Sequence, residues 1–318
     1  MDANLSRDVR RLVTALKPDL VVAHHVEASM ACHGIAVPTA YVAHTTLAAE
    51  LSTYAPERFL SAAGRFGRAL DGLALSRHDA NAAIAPELAA SLRHAHQRQV
   101  RYLPLPWPRA LKWTETRDAA RTHYGIAADA HTVAYLGNLD RYQGIPFLLD
   151  ALELALERDT RLHAMVATAS DSNELVGTLR DRPIRERLTF VALGDEQTRA
   201  RVHAAADVIA VPRAVEGGVP IKLLDALARN KSVVTVRRAA SGLPIDNVCV
   251  VCRDDSVDEF AHALVDAMNA AASRTHDTAA YLDREHSDRA FMSSFEALFT
   301  DAQARANARP SRSRLQAE

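Results

Sequence analysis

Residues 207–236, DVIAVPRAVEGGVPIKLLDALARNKSVVTV, constrain the fold more than any other stretch of the chain. Residues 207–211 are a short apolar run closed by Pro212, which reads as a buried parallel strand. Glu216-Gly217-Gly218 is a turn in which the backbone can take unusual angles and a ligand can approach closely. Pro220 stands where a first helical residue is expected. The helix should run to about residue 229, and residues 232–236 return as a β-branched strand. A glycine-rich loop feeding a helix N-terminus offers free N–H groups and positive dipole density, which suits an anion. Lys222 lies in the first turn, where the dipole disfavours a cation by roughly a few tenths of a kcal/mol. A bound phosphate reverses that sign. Lys222, Asp225 and Arg229 share one helical face. On their own, Asp225 and Arg229 read as an i,i+4 pair on a surface helix.

At 318 residues the chain is long enough for two domains, each with its own core. Charged residues make up 24% and the formal net charge is −1, so no global basic field points to nucleic acid. No uncharged apolar run reaches membrane-spanning length, and the start carries no signal-peptide pattern. The three cysteines, Cys32, Cys249 and Cys252, fit a reducing cytoplasm better than a disulfide scaffold. A lone Cys249-Val-Val-Cys252 inside an apolar run (247–252) lacks the second ligand pair that zinc needs, so these are expected to be buried, inert thiols.

Helices are expected at 4–16, 27–33, 60–75 and 86–95, with strands at 20–23, 38–43, 81–85 and 100–103. Pro104, Pro106 and Pro108 form a stiff linker. The second half alternates regularly, with strands at 132–136, 162–167, 188–191, 208–211, 232–236 and 248–251. Helices fall at about 144–158, 173–182, 196–205, 220–229 and 256–271. This alternation implies a parallel sheet covered on both faces. Residues 281–299 read as a last helix, and 301–318 as a disordered tail whose arginines give at most peripheral membrane contact.

Ligands of open α/β sheets bind beyond the carboxyl ends of strands. His24-His25, His44, Gly137-Asn138 and residues 213–216 all occupy such ends. Two sheets facing a cleft would gather them. No GxGxxG, GxxxxGK[ST] or GxSxG motif is present, which disfavours a dinucleotide dehydrogenase, a P-loop NTPase and a serine hydrolase of the nucleophile-elbow type. Asp254-Asp255, just before the helix from Ser256, read as capping and dipole partners rather than metal ligands.

The run PRAVEGGVPIKLLDALA followed by VV resembles the signature of family 4 retaining glycosyltransferases, whose fold is GT-B. DLVVAHH and TAYVAHTTLAAEL resemble that family's N-domain strands, and YLGNLDRYQGIPFLLDAL the first strand and helix of its nucleotide domain. The resemblance implies that Glu216 faces the donor-sugar hydroxyls, Asp225 holds the ribose and His44 lines the sugar pocket. The spacing from Glu216 to Asp225 is one residue longer than in the common form, and Asp stands for Glu. The family's Arg and Lys on the donor diphosphate are here Asn138 and Gln143. Lys222 is expected to replace one of them and Arg141 or Arg213 the other, aided by Gly137, Gly217 and Gly218 as loop backbone.

The expected architecture is α/β, two Rossmann-like parallel-sheet domains of GT-B type facing a cleft. Residues 1–105, joined by the final helix 281–300, form an abbreviated N-terminal, acceptor-side domain, and 106–280 the nucleotide-sugar domain. Family members begin with further βα units, so a missing N-terminal segment or a companion subunit is an expected partner. The resemblance implies metal-independent transfer of a sugar from a nucleotide-sugar, UDP- or GDP-linked, to an unidentified acceptor with retention, in glycan or glycolipid biosynthesis. Glu216, His44 and Lys222 are the expected catalytic residues, with no metal and no cofactor beyond the nucleotide-sugar. The alternatives are a non-catalytic GT-B subunit that activates a partner transferase, and a sugar-nucleotide epimerase of the same fold.

Overall fold

The computed structural model describes residues 3–107, 115–215, 217–270 and 278–309. The chain divides into two compact units. The first comprises Met1–Pro106, Glu216–Gly218 and Asp288–Glu318; the second comprises Trp107–Val215 and Val219–Ser287. Pro108 of the proline linker lies outside the described residues.

The first unit is built on β1 (Val21–His24), β2 (Thr39–Ala43), β3 (Ala80–Ala83) and β4 (Arg101–Tyr102). They are parallel and lie in the order β1-β2-β3-β4. The strands are rich in alanine. Ala40, Val42, Ala80 and Ala82 therefore present a smooth face, filled by Leu103, Leu298 and Ala302. The last two come from the helix Asp288–Asn307.

That helix differs from the expected 281–300 element in two ways. The expected helix is split into Thr278–Glu285 and Asp288–Asn307. The break falls at His286, whose Nε2 meets Tyr281 Oη at 3.1 Å and whose carbonyl accepts from Trp107 N at 2.8 Å. The second helix also runs on to Asn307, where a disordered tail is expected from residue 301. Ala302 is fully buried, Arg101 Nε reaches Asp301 at 2.6 Å, and Arg305 Nη1 donates to Asp79 O at 3.1 Å. Three anchors that are alanine or charged give no apolar stripe for a sequence reading to find. Residues 310–318 lie outside the described residues.

The second unit is a six-stranded parallel sheet. Its strands are β5 (His131–Leu136), β6 (Leu162–Thr168), β7 (Leu188–Ala192), β8 (Val208–Val211), β9 (Ser232–Val236) and β10 (Val250–Cys252). The spatial order is β10-β9-β8-β5-β6-β7. This is the doubly wound order, and the chain reverses direction across the sheet between β5 and β8. A crevice at the carboxyl ends of these two strands is where such a sheet binds ligands.

The four-residue helix Arg237–Ala240 escapes the sequence reading, as do two helices of eight residues, Leu47–Tyr54 and Arg117–Tyr124. The latter two begin at a threonine cap: Thr46 Oγ1 accepts from Ala49 N at 3.1 Å and Thr116 Oγ1 from Ala119 N at 3.2 Å. The buried Asp71 carboxylate also accepts from Leu47 N and Ala48 N, completing the first of these caps. Asp254 does cap a helix, but a different one from that expected. It accepts from Arg238 N at 2.5 Å, at the start of Arg237–Ala240, while Ser256 Oγ accepts from Glu259 N at 3.2 Å. Cys249 and Cys252 are free and buried. Burial pushes both thiols up, Cys252 to about 12, so neither is a ready thiolate at neutral pH.

Candidate functional site

In the second unit the loops after β5 and β8 are tied together. Ala214 N donates to Tyr142 O at 2.8 Å, and a Cβ at Gly144 would lie 2.2 Å from Pro212 O. Only glycine, here at φ +72°, allows this approach. The helix Ile221–Ala228 rises beside these loops, with Pro220 as its N-cap rather than its first residue.

Lys222 reaches from that helix to the end of β5. Its Nζ donates to Tyr135 Oη at 2.9 Å and to Gln143 Oε1 at 2.5 Å, and lies 4.1 Å from the Tyr135 ring centroid. Tyr135 Oη donates onward to Asn138 O at 2.6 Å. A Cβ at Gly137 would stand 2.7 Å from the ammonium, so position 137 is small because the lysine fills the space. Burial, and secondarily the Arg213 guanidinium, push Lys222 down to about 7. Arg213 itself lies over the Tyr142 ring at 5.6 Å. Asn138 is exposed, and its Nδ2 donates to Asp140 Oδ2 at 2.7 Å. Arg141 is exposed and Gln143 buried. The structure thus gathers Gly137, Asn138, Gln143 and Lys222 at the switch point, with Arg213 adjoining.

Asp225 belongs to a second cluster. The i,i+4 pair with Arg229 is present at 2.9 Å, but both side chains are buried, so it is not the surface pair the sequence suggests. The other carboxylate oxygen meets His203 Nε2 at 3.0 Å, and Arg229 also pairs with Glu196. These partners hold the Asp225 carboxyl below its ordinary range against the opposing effect of burial. Each carboxylate oxygen has two lone pairs, so Asp225 retains acceptor capacity. Tyr135 and His203 were not singled out in the sequence. Tyr135 reads as one more apolar strand residue and His203 as a helical polar position, and neither carries a local motif.

In the first unit, His24, His25 and His44 converge at the carboxyl ends of β1 and β2. His24 Nδ1 and His44 Nε2 are 2.8 Å apart, one ring donating to the other, and the His25 and His44 ring centroids lie 4.7 Å apart. Burial, then His25 and His24, push His44 down to about 4, so it is a neutral imidazole at physiological pH. Gly217 and Gly218 are buried and group with this unit. Glu216 lies outside the described residues.

The same unit contains His78, buried against Ser29 Oγ at 2.9 Å and stacked on Tyr41. Burial pushes it down to about 4 against the pull of Asp79. An unfolded histidine titrates near 6.5, so between about 4 and 6.5 the unfolded chain binds more protons than the folded one. The stability contributed by neutral His44 and His78 is complete above about 6.5 and is lost as pH falls towards 4. The melting temperature should fall across that window, and His78→Phe, which keeps the stack on Tyr41, should flatten the slope. An unchanged slope in His78→Phe excludes His78 as a source.

Residues 130–270 match the protein-family model described as Glycosyl transferases group 1. A D-inositol 3-phosphate glycosyltransferase of Actinosynnema mirum is 31% identical over 139 residues, 41% of this chain and 33% of that protein. The match therefore spans about a third of that relative's length. Sucrose-phosphate synthase from Thermosynechococcus elongatus aligns with a TM-score of 0.78 at 15% identity, covering 94% of this chain and 77% of that one. Anabaena HepE in complex with UDP-glucose aligns with a TM-score of 0.72 at 18% identity, covering 93% and 82%. The fold is that of GT-B glycosyltransferases, two parallel-sheet α/β units, and the match to the glycosyl transferases group 1 model falls largely in the second of them. No helix among the described residues is long and apolar enough to cross a membrane.

Proposed function

We propose that this chain is a retaining hexosyltransferase that moves a sugar from a UDP- or GDP-linked donor to an acceptor without a metal ion. The observation that carries the reading is Lys222, a cation seated at the β5/β8 switch point within the segment that matches the glycosyltransferase family. A crevice that offers one lysine and loop backbone at a strand end suits a diphosphate. In this reading Lys222 takes charge that develops on the departing diphosphate, with Arg213 and Arg141 adding to the field. Asp225, fixed by His203 and Arg229, accepts from the ribose hydroxyls. Glu216 orients the hexose, and neutral His44 offers a hydrogen bond to it. Oxocarbenium character is balanced by the departing phosphate, which also accepts the acceptor's proton. A cytoplasmic location fits three free, buried cysteines.

The test is product analysis of UDP- and GDP-hexoses incubated in EDTA with sugar, lipid and polyol acceptors. Retained anomeric configuration in the product supports the proposal. An inverted product contradicts retention, and activity only after metal is restored contradicts metal independence. Epimerised donor formed in water alone identifies the epimerase alternative. A second reading, a donor-binding subunit that works with a partner transferase, is favoured by Asn138 and Gln143 where the resemblance expects two cations. It predicts donor binding without turnover, and turnover on adding the companion chain.

A further inference from the structure

We infer that Tyr135 and Gln143 are positioning residues that seat the Lys222 ammonium as the diphosphate's cation, and that this cation can be delivered equally from position 143. The inference rests on the donor-binding reading above and goes beyond it, since it assigns roles to two uncharged side chains and makes the cation's chain position interchangeable.

Lys222 Nζ and Gln143 Oε1 are 2.5 Å apart, so the tips of the two side chains occupy neighbouring points although they belong to different elements. A lysine at 143 would bring its ammonium to the place where Lys222 now ends. Tyr135 fixes that place from below, with its hydroxyl 2.9 Å from Nζ and its ring face toward the charge. Burial, then Tyr142 and Asp140, push the Tyr135 hydroxyl up, so it stays neutral and cannot neutralise the lysine as a phenolate. Among the described residues, the charged group acting on Lys222 is Arg213, of the same sign. Among the described residues the seat thus consists of two neutral acceptors around a cation with no opposite charge acting on it, at the carboxyl end of β5.

Two consequences are measurable. A diphosphate stabilises the protonated lysine, and Lys222 rests near neutrality in the free protein. Binding should therefore take up a proton at pH 8, and affinity should fall as pH rises above about 7. Removing an acceptor lowers the lysine further, so Tyr135→Phe and Gln143→Leu should move that fall to lower pH. A residue that only supports the fold would leave the pH midpoint in place.

The experiment is calorimetric titration of the full chain with UDP, GDP and inorganic pyrophosphate in EDTA, at pH 6.5 and pH 8, in buffers of different ionisation enthalpy. Lys222→Gln is expected to weaken binding by about ten- to a hundredfold, the size of one lost charged hydrogen bond. It should also abolish the buffer-dependent heat. Gln143→Lys/Lys222→Gln, which returns the cation from the loop, is expected to recover most of that affinity. Wild-type binding with no recovery in the double variant, or with an unmoved pH midpoint in Tyr135→Phe, overturns this inference alone. No wild-type binding of any of the three probes overturns it together with the donor reading.

Discussion

On the proposed donor reading, Lys222→Ala is expected to lower donor turnover by about two to three orders of magnitude, the loss typical when one preorganised charge-stabilising donor is removed from an active site. In the first turn of Ile221–Ala228 a lysine is unfavourable for the free helix. It is retained against Tyr135 and Gln143, in a partly buried position where its charge is worth more than in water. The effect should fall on kcat/KM with every nucleotide-sugar the protein accepts, since the diphosphate is common to all. Folding should suffer only by about 1 kcal/mol, the cost of leaving the Gln143 carbonyl and Tyr135 hydroxyl without their donor. Wild-type kcat/KM should itself fall as pH rises through about 7, because the free protein must carry the proton on Lys222. Steady-state kinetics with a melting curve on the same samples checks all three statements. Unchanged kinetics in Lys222→Ala remove the residue from the site.

Arg121→Ala destabilises the second unit by about 3–5 kcal/mol, the range for leaving a buried charge network without its partner. Arg121 is 1% exposed and ties together three segments. It donates to Ala205 O at 3.1 Å, Ala128 O at 3.0 Å and Ala130 O at 2.7 Å, and its Nη2 meets Asp207 Oδ2 at 2.6 Å. Asp207 in turn accepts from Thr132 N at 2.8 Å, so one guanidinium fixes the starts of β5 and β8 together. These two strands carry the switch point at their other ends. Loss of Arg121 takes a buried donor from the Ala205, Ala128 and Ala130 carbonyls and from Asp207, which keeps only Arg117 Nε and Thr132 N among the bonds described, where water has little access. Arg121→Met refills much of the volume without restoring a donor, so it should recover only part of the loss. Urea unfolding with a shifted midpoint and an unchanged slope is the expected readout. A loss below about 1 kcal/mol contradicts this role.

The parts of this fold that show in the sequence are those with strong local periodicity. Residues 60–75 and 232–236 stand where their patterns place them to within one residue, as does the strand–loop–helix–strand around Lys222. The helices Leu47–Tyr54 and Arg117–Tyr124 do not show, because they are two turns long and their starts are marked only by Thr46 and Thr116. The continuation of the last helix to Asn307 is hidden for another reason. It is held by Ala302, by Arg305 reaching across to Asp79 O and by Asp301 accepting from Arg101, and such contacts leave no apolar stripe. For the candidate site, the sequence signals Lys222 through its unfavourable place in a first turn. It does not signal Tyr135, since an aromatic near a strand end looks the same whether its hydroxyl faces a lysine or the core. Asp225 and Arg229 illustrate the converse. Their spacing is visible and their burial is not, because His203 and Glu196 arrive from a distant helix.

The central claim is that the second unit binds a nucleotide-sugar at the β5/β8 switch point through Lys222. It is tested most directly by thermal melting of the protein, in EDTA, with UDP-, GDP-, ADP- and dTDP-linked hexoses. Binding to the folded state raises the melting temperature by mass action. The account predicts a concentration-dependent rise with one nucleotide class, strongly reduced in Lys222→Ala. No rise with any donor, or a rise that is the same size in Lys222→Ala, contradicts it.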